Sequence, residues 1–599
     1  MNPSGGRPRR APAVALAVAA AVGTLGCDVA PLGGKSCPCA AGYTCCVAEQ
    51  LCLPQGQICA SAFVWPPATA PTATPLPLDA IVFAMSEYDV GTADPQVLEL
   101  APDVVVRGWS TWDQDGFLVD KYDTAYLEAC HQANIRFIGG ANLAALFTDQ
   151  FPDQWDAADT FTDFATRDPR DQTVSHDGIY PKLSWASLAN PRVRARAVQI
   201  AEMQIDLGVD GLQFVSLESD VEAVQVDGVD GRDGYDDYHL ADFNAYLLAK
   251  YPSETDFATR FSMMPPNVLE RDRAPGDLSG NFNYRTYLHD LGVSDDPSSS
   301  NNPLAGEWGV VNGGRAAIGP QTFLETAGDY VYWRQIVAEL HAYAQARGHD
   351  VFINATGVYP FVDFQAVGLF DNTIDAPNGE TATYVPVDAG GRLDGTVSLA
   401  PAFAGLRARA QALSPGAPVV VFLDGDWPQY DGLTASELQD YWRLYTAEAY
   451  ASGLFFAFDL YSPGDPQHTA TGTGLMQLYQ GLAAFYRAHA GLYRGVVAST
   501  EQSSDLPAAT VTLADQPDPA NAGRISRRIV HVVNHQYEGG IVTRTGIPLA
   551  VSSSAAPVAV ALASPDETAD APLPFSYAGG QIALTLPSLA AYDVVVIDY

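Results

Sequence analysis

Basic residues are scarce in this chain: 32 Lys+Arg stand against 70 Asp+Glu over 599 residues, a formal charge of −38. A surface so short of cations excludes nucleic acid and anionic membrane as partners, and it repels polyanionic glycans unless a local basic patch intervenes. The 10 histidines are scattered, which argues against a transition-metal centre. There is no glycine-rich phosphate loop and no serine-nucleophile elbow. Beyond Leu25 no stretch offers the roughly 18–20 unbroken apolar residues of a membrane span. Of the 8 cysteines, only Cys130 lies outside the N-terminal region, in a helical pattern that suits a small buried hydrophobe. What the chain does have is 47% hydrophobic residues, too many for a disordered chain, and a length that implies more than one core.

The N-terminus reads as a targeting segment. Arg7, Arg9 and Arg10 precede an apolar run from Ala11 to Leu25 that ends at Gly26-Cys27. Thr24-Leu25-Gly26-Cys27 resembles the lipobox of bacterial lipoproteins, with Thr24 where leucine is usual; the resemblance implies a lipidated Cys27, and plain secretion is the alternative. Residues 1–26 are thus a signal peptide, and the protein is expected in the cell envelope or outside the cell. Cys37, Cys39, Cys45, Cys46, Cys52 and Cys59 follow in residues 27–60. An even set this dense in an exported chain reads as a disulfide knot. Zinc is the rival, disfavoured because no histidine lies there. Residues 61–78 repeat proline, as in Trp65-Pro66-Pro67, and form a semi-rigid spacer.

From residue 79 to 497 short apolar runs alternate with helical stretches. Strands are predicted at 80–85, 103–107, 136–140, 209–215, 351–355, 370–375, 418–424 and 454–459. Eight strands separated by helical crossovers predict a (β/α)8 barrel, whose chemistry sits at the C-terminal strand ends. Those ends carry Glu218, Asp220, Asn354, Asp375, Asp424, Asp426 and Asp459. A long excursion from 221 to 350 separates the fourth and fifth strands. Residues 498–599 lose the helices and predict a small antiparallel β-sandwich. The loop Asp227 to Asp237 is acidic and glycine-punctuated; its spacing misses the EF-hand pattern, so a solvated loop is preferred to calcium. No cofactor or metal is expected, and the sequence gives no reading of oligomeric state.

Ala189-Asn-Pro-Arg-Val-Arg194 and Gln204 to Phe214 resemble a recurring stretch of TIM-barrel glycoside hydrolases, the broad α-galactosidase- and dextranase-like superfamily. Trp442 to Phe458 resembles their last helix and strand. Val530-His-Val-Val-Asn534 and Leu589 to Val596 resemble the β-domain closing dextranase-like enzymes. The resemblance spans roughly residues 79–599 and implies action on a poly- or oligosaccharide. It places a nucleophile after strand four, pointing to Glu218 or Asp220, and an acid after strand six, pointing to Asp375 with Glu380 as substitute. The relatives' phrase often continues into an aspartate where this chain has Val215, so a non-catalytic glycan-binding protein stands as the alternative.

Glycoside hydrolysis needs two carboxyl groups flanking the scissile bond, roughly 5 Å apart for retention or 6.5–9.5 Å for inversion. Asp424-Gly-Asp426-Trp427 pairs carboxylates with an apolar ring, suited to hydroxyl recognition and sugar stacking. Trp109, Trp112 and Asp113 after strand two offer a similar platform, and Asn354, Glu380 and Asp459 complete the expected substrate contacts.

Overall fold

The computed structural model describes residues 43–46, 51–54, 78–86, 94–109, 122–142, 145–147, 164–167, 173, 183–215, 236–239, 242, 311–312, 315–316, 331–369, 373–375, 381–423, 428–460, 474–521 and 523–599. Eight parallel strands form its centre: β1 (Phe83–Met85), β2 (Val104–Val106), β3 (Arg136–Asn142), β4 (Gly211–Val215), β5 (Phe352–Ala355), β6 (Gln365–Leu369), β7 (Val419–Leu423) and β8 (Phe455–Phe456, resumed at Phe458–Asp459). Each pairs with its sequence neighbour, β5 and β6 through the bridge Thr356↔Ala366. The ring closes at β8, whose first half pairs with β7 (Phe455↔Val420) and second with β1 (Phe458↔Ala84). This is a closed eight-stranded barrel.

Helices α1 (Pro95–Leu100), α2 (Thr124–Gln132), α3 (Pro191–Leu207), α4 (Val331–Ala346), α5 (Ala400–Leu413), α6 (Ala435–Ala451) and α7 (Leu475–Ala488) follow β1, β2, β3, β4, β6, β7 and β8. Local chemistry starts and stops them. Asn190 caps α3 by accepting from the Arg192 N–H, Pro191 fills the first turn, and Gly208 ends the helix at φ +104°. Thr434 and Glu437 form a reciprocal capping box at α6. Gly139 lets α3 approach the sheet: a Cβ there would lie 2.1 Å from the Gln204 side chain, which donates to the Gly140 carbonyl at 2.8 Å.

Two expectations need correction. The sixth strand is Gln365–Leu369, not residues 370–375, and no helix separates it from β5. Residues 356–364 make the return instead, with Tyr359, Phe361, Val362 and Phe364 all buried. The Gln365 side chain pins this turn by bonding both the N–H and the carbonyl of Tyr359, at 2.9 and 2.7 Å. Thr373–Asp375 belongs to an antiparallel hairpin with Thr381–Thr383, beyond the end of β6.

The two ends of the barrel differ. At the N-terminal end Phe83, Phe364 and Phe455 cluster as an apolar plug, with ring centroids 5.3 and 6.4 Å from Phe83. Three aspartates there tie neighbouring strands: Asp103 accepts from the Ile81 and Val82 N–H groups, Asp210 from Phe137, and Asp363 from Ile353, at 2.7–3.0 Å. Carboxylates at this end serve stability.

From Val497 onward the described strands are antiparallel: β9 (Ala509–Pro517), β10 (Ile525–Asn534), β11 (Arg544–Ser552), β12 (Ala559–Ala563), β13 (Phe575–Ala578), β14 (Gln581–Leu589) and β15 (Tyr592–Asp598). One sheet contains β9-β10-β15-β12 and the other β11-β14-β13. Val530, Val532, Ile547, Leu549, Ile582, Leu584, Val595 and Ile597 fill the space between them. This sandwich docks on α6. There the buried Glu448 accepts from Leu399 N–H at 2.6 Å, from Thr510 Oγ1 at 3.0 Å and from His535 Nε2 at 2.8 Å. The other His535 nitrogen faces the Gly395 carbonyl at 2.8 Å. Near the N-terminus, the hairpin Tyr43–Cys46/Leu51–Pro54 sets Cys45 opposite Cys52. No helix among the described residues is long and apolar enough to cross a membrane.

Candidate functional site

The C-terminal end of the barrel interior is polar, and strand register explains how. Phe456 and Phe458 pack against Trp442 of α6, so they face outward and alternate residues face in. On β3, β4 and β5 the register aligns Gly140, Gln213 and Asn354 in one interior layer. Thr356 lies one step further along the chain's same face, beyond Asn354. Gln213 Nε2 donates to Thr356 Oγ1 at 3.1 Å. Asn354 is fully buried, and neither its Nδ2 nor its Oδ1 has a hydrogen-bond partner among the described residues; the same holds for Gln213 Oε1.

Arg107 joins this layer through a backbone exception. It follows β2, where alternation would turn it outward, but it takes φ +51°, a left-handed conformation unusual for a non-glycine residue. The side chain is 1% exposed and crosses the barrel. Its Nη2 donates to Thr356 Oγ1 at 3.0 Å, and its guanidinium lies 5.1 Å over the Phe422 ring of β7. A cation is thus held inside the barrel against a ring face and a hydroxyl.

The expected substrate contacts distribute unevenly. Asn354 lies in the interior layer, and Asp459 ends β8, partly buried. Trp109 is not an open platform: it is fully buried and edge-packed between Tyr122 and Phe137, at 4.8 and 4.9 Å, on the outer side of the barrel wall. A ring enclosed on both faces has no surface for a sugar. Asp375 is described only as the end of its hairpin strand. Glu218, Asp220, Trp112, Asp113, Glu380, Asp424, Asp426, Trp427, Cys27, Cys37, Cys39 and Cys59 lie outside the described residues. Cys130 is buried and free, its thiol pushed up to about 12 by burial.

A second buried cluster sits between the start of α3 and the excursion after β4. His239 Nδ1 meets Asp236 Oδ2 at 2.5 Å and Ser187 Oγ at 3.1 Å, while Ser187 Oγ donates to Asp236 Oδ1 at 2.8 Å. A Ser-His-Asp relay needs serine and aspartate on opposite ring nitrogens. Here both approach Nδ1, and Nε2 is buried with no partner among the described residues, so the trio is structural. Burial raises the Asp236 pKa, but the charge and hydrogen bonds of His239, with the Ser187 hydroxyl, outweigh it and hold the carboxyl low. Both Asp236 oxygens take hydrogen bonds within the trio, and the described residues hold no group of metal-ligating side chains.

Two carboxyls near the strand ends are raised to about 6 by burial. Asp94 is engaged on both oxygens, by the Ser86 hydroxyl at 2.9 Å and the Gln96 N–H at 2.8 Å, as the cap of α1. Asp242 accepts from the Tyr332 hydroxyl at 2.6 Å. Both are fixed by internal partners. Of this interior layer the sequence reading named Asn354, from its strand-end position, and did not name Gln213, Thr356 or Arg107. An arginine closing the apolar run Val104-Val-Val was the available signal.

No protein-family model matches the chain, and no curated protein does. Among solved structures it is similar to a cycloisomaltooligosaccharide glucanotransferase of Paenibacillus sp. complexed with cycloisomaltoheptaose, at 10% identity over 86% of this chain and 84% of that one, with a TM-score of 0.48. It is also similar to a noncanonic maltogenic α-amylase from Thermotoga neapolitana (8% identity, 86% and 98% covered, TM-score 0.43). A third is the trehalose-6-phosphate hydrolase of Bacillus licheniformis (10% identity, 87% and 99% covered, TM-score 0.42). The barrel itself is established by the chain's own strand order.

Proposed function

We propose that the chain is an exported glycoside hydrolase that cleaves a poly- or oligosaccharide at the C-terminal mouth of its barrel. The observation that carries this reading is the asymmetry of the barrel interior. One end is plugged by Phe83, Phe364 and Phe455, and the other holds Arg107, Gln213, Asn354 and Thr356 around unmade hydrogen bonds. Packing alone favours apolar residues in such a layer, whereas a hydroxyl-rich ligand makes use of amides.

In this proposal Glu218 or Asp220, in the segment leaving β4, acts as nucleophile or base, and Asp375, in the hairpin after β6, acts as acid, with Glu380 as substitute. The acid protonates the leaving oxygen while the ionised partner attacks the anomeric carbon or activates water. Export rests on the signal-like residues 1–26, with Cys27 as lipid anchor and the six following cysteines paired. Cys27→Ser should then release the protein from the membrane fraction.

The deciding experiment measures turnover of a broad glycan panel by wild type, Glu218→Gln, Asp220→Asn and Asp375→Asn. Asp375→Asn and one of the strand-four variants should each lower kcat by orders of magnitude while binding survives, and the wild-type pH profile should be bell-shaped. Wild-type-like turnover in all three variants rejects these assignments. Binding without turnover by wild type favours a glycan-binding protein, in keeping with Val215 at the end of β4.

A further inference from the structure

We propose that Cys45 and Cys52 form a disulfide bond across the hairpin Tyr43–Cys46/Leu51–Pro54, which leaves Cys37, Cys39, Cys46 and Cys59 to pair among themselves. This rests on the reading of an exported chain with its six N-terminal cysteines paired, and adds a specific partner to it. The register supplies the candidates: Tyr43↔Pro54, Thr44↔Leu53, Cys45↔Cys52 and Cys46↔Leu51 stand opposite one another in an antiparallel ladder. Proline decides which kind of pair each one is. Opposed residues in such a ladder alternate between two classes. One class exchanges two N–H···O bonds, with Cα atoms about 5.5 Å apart; the other exchanges none, with Cα atoms about 4.5 Å apart and side chains closer. Pro54 has no N–H, so Tyr43↔Pro54 belongs to the second class. Alternation along the unbroken register then makes Thr44↔Leu53 bonded, Cys45↔Cys52 non-bonded and Cys46↔Leu51 bonded.

A disulfide needs Cα atoms roughly 4.4–6.8 Å apart and Cβ atoms roughly 3.5–4.5 Å apart. The non-bonded class comes nearer to that than the bonded class does. Cys46 is the competing partner for Cys52, but it stands one register step away and on the opposite face, because successive strand residues alternate. The hairpin also has little else to hold it. Its strands are four residues each, and no further strand among the described residues pairs with them. A lone two-stranded hairpin is marginal in water, and exported segments too small for a core are stapled by disulfides. The bond forms by thiol–disulfide exchange with an oxidised dithiol oxidant of the export compartment. One cysteine thiolate attacks the oxidant's disulfide, and the second displaces the oxidant from the mixed disulfide. One S–S bond is made and one is broken. The two cysteines lose two electrons and two protons, and the oxidant leaves with both as a dithiol.

The test uses the full chain, exported by a host with an oxidising envelope compartment. The protein is denatured and alkylated without reduction, then cut after Glu49, which lies between the two cysteines. Mass spectrometry should find the peptides on either side of Glu49 joined until reduction, and electron-transfer fragmentation should place the link on Cys45, not Cys46. Cys130, free in the fold, should be alkylated in the same sample and serves as the control. Cys52→Ser should expose one new alkylatable thiol, at Cys45, and Cys45→Ser one at Cys52. The double variant should expose none, with the other four still protected. If a variant is not recovered, the wild-type map decides alone. A link from Cys52 to any residue but Cys45 overturns the pairing. Six protected cysteines joined in another pattern overturn this inference only, whereas six alkylated ones overturn the paired-cysteine reading with it.

Discussion

Asn534 in the sandwich and Asn354 in the barrel are both withdrawn from solvent, and the protein uses them in opposite ways. Asn534 donates to the carbonyls of Val542 and Ala590 at 2.9 and 2.7 Å and accepts from the Gln536 N–H at 3.1 Å. It fastens the ends of two strands to a loop. Asn354 makes no such bond among the described residues. The same contrast extends outward. The buried Arg528 of the sandwich is gripped by both oxygens of Asp515, at 2.8 and 3.2 Å, and by the Ser552 carbonyl at 2.8 Å. Asn534 and Arg528 are thus completed within the sandwich, where Asp593 Oδ2 is a buried exception, while the amide of Asn354 in the barrel meets no partner among the described residues.

The sharpest way to break this comparison is to strand Arg528. Asp515→Asn leaves a buried guanidinium without its counter-charge and should cost about 3 kcal/mol or more, read by urea denaturation. A loss below about 1 kcal/mol would mean that the sandwich tolerates unpaired groups as the barrel does. Next comes the asparagine pair. Asn534→Leu should destabilise by about 2 kcal/mol, since its carbonyl partners stay buried and unmet, whereas Asn354→Leu should be neutral or stabilising. Equal losses in the two melts would erase the distinction.

Smaller effects come from two histidines. Burial lowers the His531 pKa to about 3, so its ring is neutral in the fold but binds a proton readily once unfolded. Its contribution is present above about 6.5, the unfolded value, and is lost as pH falls from there towards 3. His535 is the reverse. Burial lowers its pKa, but the hydrogen bond and charge of Glu448, with the Gly395 carbonyl, outweigh this and raise it. That contribution is fully present below the unfolded value and disappears as pH rises through the folded one. Thermal melts at pH 5 and 8 should therefore respond oppositely to His531→Gln and His535→Gln. His531→Gln should relieve the acid loss. His535→Gln should lower stability mainly at pH 5, by on the order of 1 kcal/mol; a larger loss at pH 8 would contradict an imidazolium at the docking surface.

Much of the barrel was legible because apolar runs such as Val104-Val-Val and Val419-Val-Val-Phe-Leu423 are bounded by turn residues and separated by amphipathic helices. The sixth strand was misplaced because the expectation of a helix between parallel strands pushed it downstream. Gln365-Ala-Val-Gly-Leu369 offers little β-branching, and its position depends on pairing with β7. In the site, a strand-end rule is enough to flag Asn354. The reach of Arg107 depends on one positive φ and on Phe422 and Thr356 from distant strands, and no local pattern encodes such a meeting. Trp109 misled for a related reason: a tryptophan next to a strand end suits a sugar platform or a wall equally, and only the Tyr122 and Phe137 rings decide between them.

The helix-free return of residues 356–364 also bears on how the ring assembles. Bringing two strands together costs chain entropy that grows with the loop between them. The β5–β6 seam has the shortest connection in the ring, and its Tyr359–Gln365 clasp is wholly local. The β8–β1 seam joins Phe458 to Ala84, across almost the entire length of the barrel sequence. Contact order thus runs from lowest at one seam to highest at the other, so a φ-value survey should find native-like contacts early around Gln365 and late around Phe458.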